Sequence, residues 1–196
     1  MEKICTNYGD YMIIAFTGHR PSNPYFGGYN LFSSRNIEIS NKVKSVIKTF
    51  MQQYGNKESY HFIVGGALGF DQLAASVVLD LREQYKNFNI ILEYAIPFKY
   101  QYIKWNKNDI KRYCRQILLA NIITVVDMLP EYNLDRKTKT GYYSAYKMFL
   151  RDQYMVDQLV GKNSFLIALY DNKSVNSGTH KTIMYAKNCD IRIIYI

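Results

Sequence analysis

No apolar run in these 196 residues approaches the ~20 that a membrane-crossing helix needs, and the opening MEKICTNYGDYMIIAF fits neither a signal peptide nor a transit peptide. A soluble, cytoplasmic protein without a membrane partner is the expectation. Cysteine is scarce: Cys5, Cys114 and Cys189 are far apart, with no CxxC and no Cys/His spacing, so neither a disulfide framework nor a zinc site is indicated. They read as reduced, mostly structural thiols, and no metal or resident cofactor is expected. Acidic residues are also few. Sixteen Asp and Glu stand against 25 Lys and Arg, a net charge of +9, which favours anionic partners and leaves nucleic acid, nucleotide and phosphate all open. The basic residues are densest from Lys99 to Arg115, opposed only by Asp109, and again at Arg136, Lys137 and Lys139. Such runs are commonly a solvated face, and the regularly spaced exposed aromatics of a nucleic-acid groove are not evident beside them.

The chain does have length and apolar content, 196 residues at 48% hydrophobic, enough for one substantial core and one domain over residues 1–196. Apolar runs suited to buried strands occur at 12–16, 62–64, 90–96, 122–126, 165–170 and 191–196. Between them run helical periods: Ile39, Val43, Val46, Ile47 and Phe50 share one face, as do Phe70, Leu73, Ala74, Val77, Val78 and Leu81. Ile110, Tyr113, Cys114, Ile117 and Leu118 give a third helix, residues 143–160 a fourth, and a short last helix follows Gly178. Strands alternating with helices predict an α/β, Rossmann-like, mostly parallel sheet with helices on both faces. The polar PEYNLDRKTKTGYY segment reads as a long loop.

In open α/β sheets the ligand crevice lies beyond the carboxyl ends of the strands, so the residues after each strand are the candidates. They are TGHRP with Gly18, His19 and Arg20; GGALGFD with Gly65, Gly66, Gly69 and Asp71; IPFKYQYIKW with Pro97, Gln101 and Trp105; Asp127; and YDNKSVNSGTH with Asp171, Ser177, Gly178 and Thr179. Glycines lack Cβ atoms and let backbone N–H groups approach an anion at a positive helix N-terminus. They equally allow tight helix–strand packing. The spacing is neither GxGxxG nor a P-loop ending in GKS or GKT. Gly178 and Thr179 repeat the arrangement, with an ordinary N-cap as the plainer alternative. Arg20 supplies bidentate charge for a phosphate, with Asp71 expected at the ligand's other end on ribose hydroxyls; Trp105 suits either a base or the core. His19 is a rim candidate with no second His or Cys nearby to suggest a metal.

FTGHRP, GGALGFDQLAA, AIPFKYQYIKW, YMVDQL, LIALYDN and SGTHKTIMYA, in that order, resemble the YpsA-like branch of the SLOG superfamily, which also groups the DprA DNA-processing proteins and the Lonely Guy enzymes. The resemblance implies a Rossmann-like fold that binds a nucleotide or nucleotide-derived small molecule, at Gly18, Arg20, Gly66, Gly69, Asp71, Gln101, Trp105, Gly178 and Thr179. It also places Arg151 and Asp157 on the fourth helix. The Lonely Guy pattern resembles PGGxGTxxE, and here Thr182 stands at the Glu position while no glycine pair precedes Gly178. A hydrolase would have to take its acid from Asp71 or Asp171. The leading reading is a sensor or sequestering protein; a phosphoribohydrolase-like enzyme and a DprA-like single-stranded nucleic-acid binder are the alternatives. The resemblance, with aromatics near Tyr113 and Tyr146, further implies a homodimer.

Overall fold

The computed structural model describes residues 11–135 and 137–196, so Cys5 and Arg136 lie outside the described residues. Six strands, β1 (Tyr11–Gly18), β2 (Ser59–Val64), β3 (Asn89–Ile96), β4 (Ile122–Val125), β5 (Asn163–Leu169) and β6 (Ile193–Tyr195), form one sheet in the order β4-β3-β2-β1-β5-β6. Every neighbouring pair is parallel. Five helices alternate with them: α1 (Ser34–Tyr54), α2 (Phe70–Gln84), α3 (Lys107–Leu119), α4 (Ala145–Asp157) and α5 (Gly178–Asn188).

Successive strand residues point to opposite faces, and both faces are apolar, as a doubly covered parallel sheet requires. Met12, Ile14 and Phe16 of β1 join Phe62, Leu92 and Ile167 in a core closed by Ile39, Val43 and Ile47 of α1, Leu73, Val77 and Leu81 of α2, and Tyr113 of α3. Ile13 and Ala15 point the other way, with Ile63, Ala95 and Leu166, against Met155 and Val156 of α4 and Ala186 of α5. The Rossmann-like arrangement with helices on both faces is therefore observed.

Several element boundaries differ from the sequence expectation, and three of them have a clear local reason. β4 stops at Val125 because Val126–Met128 turns into a short 3₁₀ segment, held by the Asp127 N–H donating to the Pro97 carbonyl at 3.2 Å. α4 begins after Ser144, not at Tyr143: the Ser144 hydroxyl caps it by accepting from the Tyr146 N–H. β6 starts at Ile193 because the Ile191 N–H is still bonded to the Ala186 carbonyl at the end of α5. No helix among the described residues is long and apolar enough to cross a membrane.

The strand order puts a topological switch point between β1 and β5. From β1 the chain moves outward through β2 and β3 to β4, then returns along α4 to β5 on the opposite side of β1. A crevice at the carboxyl ends of β1 and β5 follows from that reversal.

Candidate functional site

A cavity of about 430 Å³ opens there. Phe16 to Arg20, leaving the sheet at the end of β1, form its back; Ala67 and Asp71 form one wall, and Ser177, Gly178 and Thr179 another. Tyr143, Met148, Arg151 and Asp152, from α4 and the loop leading into it, close the remaining side.

Charge is concentrated at the bottom. Arg151 is buried, its Nη1 donating to the Gly65 carbonyl and its Nε to Asp152 Oδ1 at 2.7 Å, with Asp71 Oδ2 a further 3.8 Å from Nη1. Asp71 Oδ2 also accepts from the Ala67 N–H at 3.2 Å. Burial drives the Asp71 carboxyl above its ordinary value, against the opposing pull of Arg151 and Arg20. Arg20 is exposed and donates to no acceptor among the described residues; Asp71 is the charge acting on it most strongly, followed by Arg151 and Asp152. Arg20 and Asp71 thus line one cavity and act on one another.

The start of α5 adds donors. Ser177 caps the helix by accepting from the His180 N–H at 3.1 Å, which leaves the Gly178 and Thr179 N–H groups without a protein acceptor among the described residues. Thr179 is only 7% exposed, and its hydroxyl has no partner among the described residues. Thr182 is buried, and its hydroxyl donates back to the Gly178 carbonyl at 2.9 Å. It therefore performs a helix-internal task.

The remaining sequence candidates lie behind the cavity wall. At Gly69 the backbone has φ +99°, and a Cβ there would sit 2.5 Å from the His19 carbonyl, the same oxygen that accepts from the Phe70 N–H. The glycine lets the end of β1 and the start of α2 touch. Gly65 and Gly66 border Arg151 and Tyr94 respectively. Gln101 donates to the Tyr113 hydroxyl at 3.0 Å, Trp105 packs edge-on against the same ring at 5.3 Å, and Pro97 receives the Asp127 N–H. Asp171 accepts from Ser174 and Lys173 N–H groups and lies 3.4 Å from His19 Nε2. The buried His19 ring, its basicity lowered by burial despite Asp171, ties the β1 exit to the β5 exit.

Gly18, His19, Arg20, Asp71, Ser177, Gly178 and Thr179 line the cavity, whereas Gly65, Gly66, Gly69, Pro97, Gln101, Trp105 and Asp171 do not. Sequence reasoning missed Tyr143, Met148 and Asp152 as lining residues and named Arg151 only as a helix residue. A usable signal existed: Lys147 and Arg151 share a helical stripe with the buried Met155, so charges interrupt an apolar face. Among the described residues no group of three or more His, Cys, Asp or Glu could hold a metal ion.

An all-parallel sheet with a charged cavity at its switch point defines a Rossmann-like α/β protein. More specifically, residues 14–196 match the model of the YspA SLOG family, and the chain belongs to that family. It is 33% identical over 151 residues to the uncharacterized SPbeta prophage-derived protein YoqJ of Bacillus subtilis (strain 168), covering 77% of this chain and 81% of that protein. A UPF0398 protein of Brevibacillus brevis is 24% identical over 160 residues, 82% of this chain and 76% of the relative.

Proposed function

We propose that the cavity binds a phosphorylated nucleotide or nucleotide-derived small molecule, and that the protein serves as its sensor or sequestering protein in the cytoplasm. The observation that carries this reading is a set of donors without protein acceptors among the described residues, the Arg20 guanidinium, the Gly178 and Thr179 N–H groups and the Thr179 hydroxyl, facing one cavity with Asp71 and Asp152. A helix N-terminus contributes about 0.3–1 kcal/mol toward an anion and a charge-assisted bond about 1.5–3 kcal/mol, so Arg20 is the main determinant of phosphate affinity. A carboxylate beside a phosphate is repulsive, which leaves Asp71 and Asp152 for ribose hydroxyls. Calorimetry against nucleotides, cyclic dinucleotides and ADP-ribose tests this. Binding tighter than about millimolar by at least one compound is expected, and a panel of non-binders would sink the reading.

A phosphoribohydrolase-like activity is the second reading, supported by the Asp71 carboxyl, which burial holds above its ordinary value within the cavity, where a protonated acid could serve a leaving base. Incubation with nucleoside monophosphates should then release free base in wild type and not in Asp71→Asn. The nucleic-acid alternative rests on the exposed Lys107, Lys111 and Arg115, spaced four residues apart along α3. Electrophoretic shift with single-stranded DNA at low and high salt examines it. For the homodimer, Tyr113 is 3% exposed and offers no surface, whereas Tyr146 and Phe149 line an apolar groove beside Lys181. Sedimentation at micromolar concentration should return twice 23.0 kDa.

A further inference from the structure

We infer that Tyr143 is the stacking platform that makes this cavity select a planar heteroaromatic base, an inference that rests on the nucleotide reading above. Tyr143 is 66% exposed, yet it lines the same cavity as Arg20. Its ring meets Phe98 edge to face, with centroids 5.9 Å apart and planes at 89°, and Phe98 is itself buried. An edge-on neighbour fixes the ring's position and leaves a π face open, the arrangement on which a flat base can stack.

The backbone that carries Tyr143 is held by an unusual anchor. Lys147 Nζ donates to Asp127 Oδ2 at 3.0 Å, to the Lys139 carbonyl at 2.7 Å and to the Tyr142 carbonyl at 3.3 Å, while the Gly141 N–H donates to the same Asp127 oxygen at 2.7 Å. Both charges are at most 2% exposed, and Asp127 Oδ1 has no hydrogen-bond partner among the described residues. Burying such a pair carries a desolvation cost of several kcal/mol per ion. What it secures is the conformation of residues 139–142, immediately before the cavity's aromatic rim. A ring preset in this way loses little entropy when a base lands on it. The cavity thus couples an anion seat at Arg20 and α5 to a base platform at Tyr143, and a sugar phosphate without a base would use only the first.

The test compares AMP and ADP-ribose with ribose 5-phosphate by calorimetry on wild type, Tyr143→Ala and Tyr143→Phe. Wild type should prefer the base-containing ligands. Tyr143→Ala should weaken them about tenfold or more, leave ribose 5-phosphate unchanged, and Tyr143→Phe should restore the preference. Equal affinity of Tyr143→Ala and wild type for AMP and ADP-ribose, or an equal loss for all three ligands, overturns the inference alone. If neither these three nor the nucleotides and cyclic dinucleotides of the wider panel bind wild type, the nucleotide reading falls and this inference falls with it.

Discussion

The Gly65 carbonyl accepts a hydrogen bond from the Arg151 guanidinium, and a Cβ at residue 65 would land on that same guanidinium and within 2.7 Å of Asp71 Oδ2. Gly65 is therefore what allows a buried arginine to lie beneath the cavity. Gly65→Ala should displace Arg151 and strand a buried charge, lowering stability by about 1–3 kcal/mol, roughly 2–10 °C in Tm. Gly178→Ala is the control, because the nearest atom to a Cβ there is 4.0 Å away. A Gly65→Ala protein that melts with wild type would show that Arg151 has another resting place.

Arg20 and Asp71 should separate functionally even though they share a cavity. Arg20→Ala is expected to weaken phosphorylated ligands about 10–150-fold, and Asp71→Ala to weaken ribosides whatever their phosphate count. Asp71 is the charge Arg20 feels most, so the double variant should depart from additivity by at least about 0.5 kcal/mol. A double-mutant cycle by calorimetry reads all three values; strict additivity would place the two residues on independent parts of the site.

How much of this was legible depends on whether a signal was local. The sheet was, since Met12 to Phe16 and Ile90 to Ile96 are apolar runs long enough to be buried strands, and the α1 and α2 faces are periodic. The rim of β1 and α5 was also legible, because strand-end residues converge in any such sheet. The glycines were ambiguous for a physical reason. Close approach of backbone to an anion and close approach of backbone to backbone require the same missing Cβ, and only coordinates reveal that Gly69 meets His19. Tyr143 and Asp152 escaped notice because their contribution depends on α4 crossing back over the sheet, a long-range fact with no local pattern.

The buried pair behind Tyr143 makes a distinctive prediction. Lys147→Met alone leaves Asp127 buried without its counter-charge and should cost about 3–5 kcal/mol in urea unfolding. Lys147→Met combined with Asp127→Leu removes both charges and should regain most of that loss. If the pair serves to position the loop, the refolded double variant will still discriminate poorly between AMP and ribose 5-phosphate. Wild-type selectivity in the double variant would assign the pair to stability only.

Acid should act on two buried carboxyls in opposite directions. Glu93, 3% exposed in the middle of the sheet, accepts from Thr124 and Tyr154 hydroxyls at 2.7 Å each, and His61 Nε2 lies 2.8 Å from its second oxygen. Burial alone would raise its pKa, but the close His61 ring and the hydroxyl bonds from Thr124 and Tyr154 outweigh it and hold the carboxyl below its ordinary 4.5. The native state then binds fewer protons than the unfolded chain, so this stabilisation is complete above about pH 4.5 and is lost as pH falls through the folded-state value. Asp71 is raised above its ordinary 3.8 chiefly by burial, so its contribution is complete below that value and declines as pH rises through the folded-state value. Urea unfolding of wild type, Glu93→Gln and Asp71→Asn across pH 3.5–7 separates them. The stability advantage of wild type over Glu93→Gln should shrink toward low pH, and wild type should lose ground to Asp71→Asn as pH rises. Tyr154 lies on α4, one turn beyond Arg151 and Asp152, so the Glu93 bond also fastens the helix that floors the cavity. Ligand affinity in Glu93→Gln should accordingly fall along with stability; unchanged affinity would mean that α4 keeps its place without that bond.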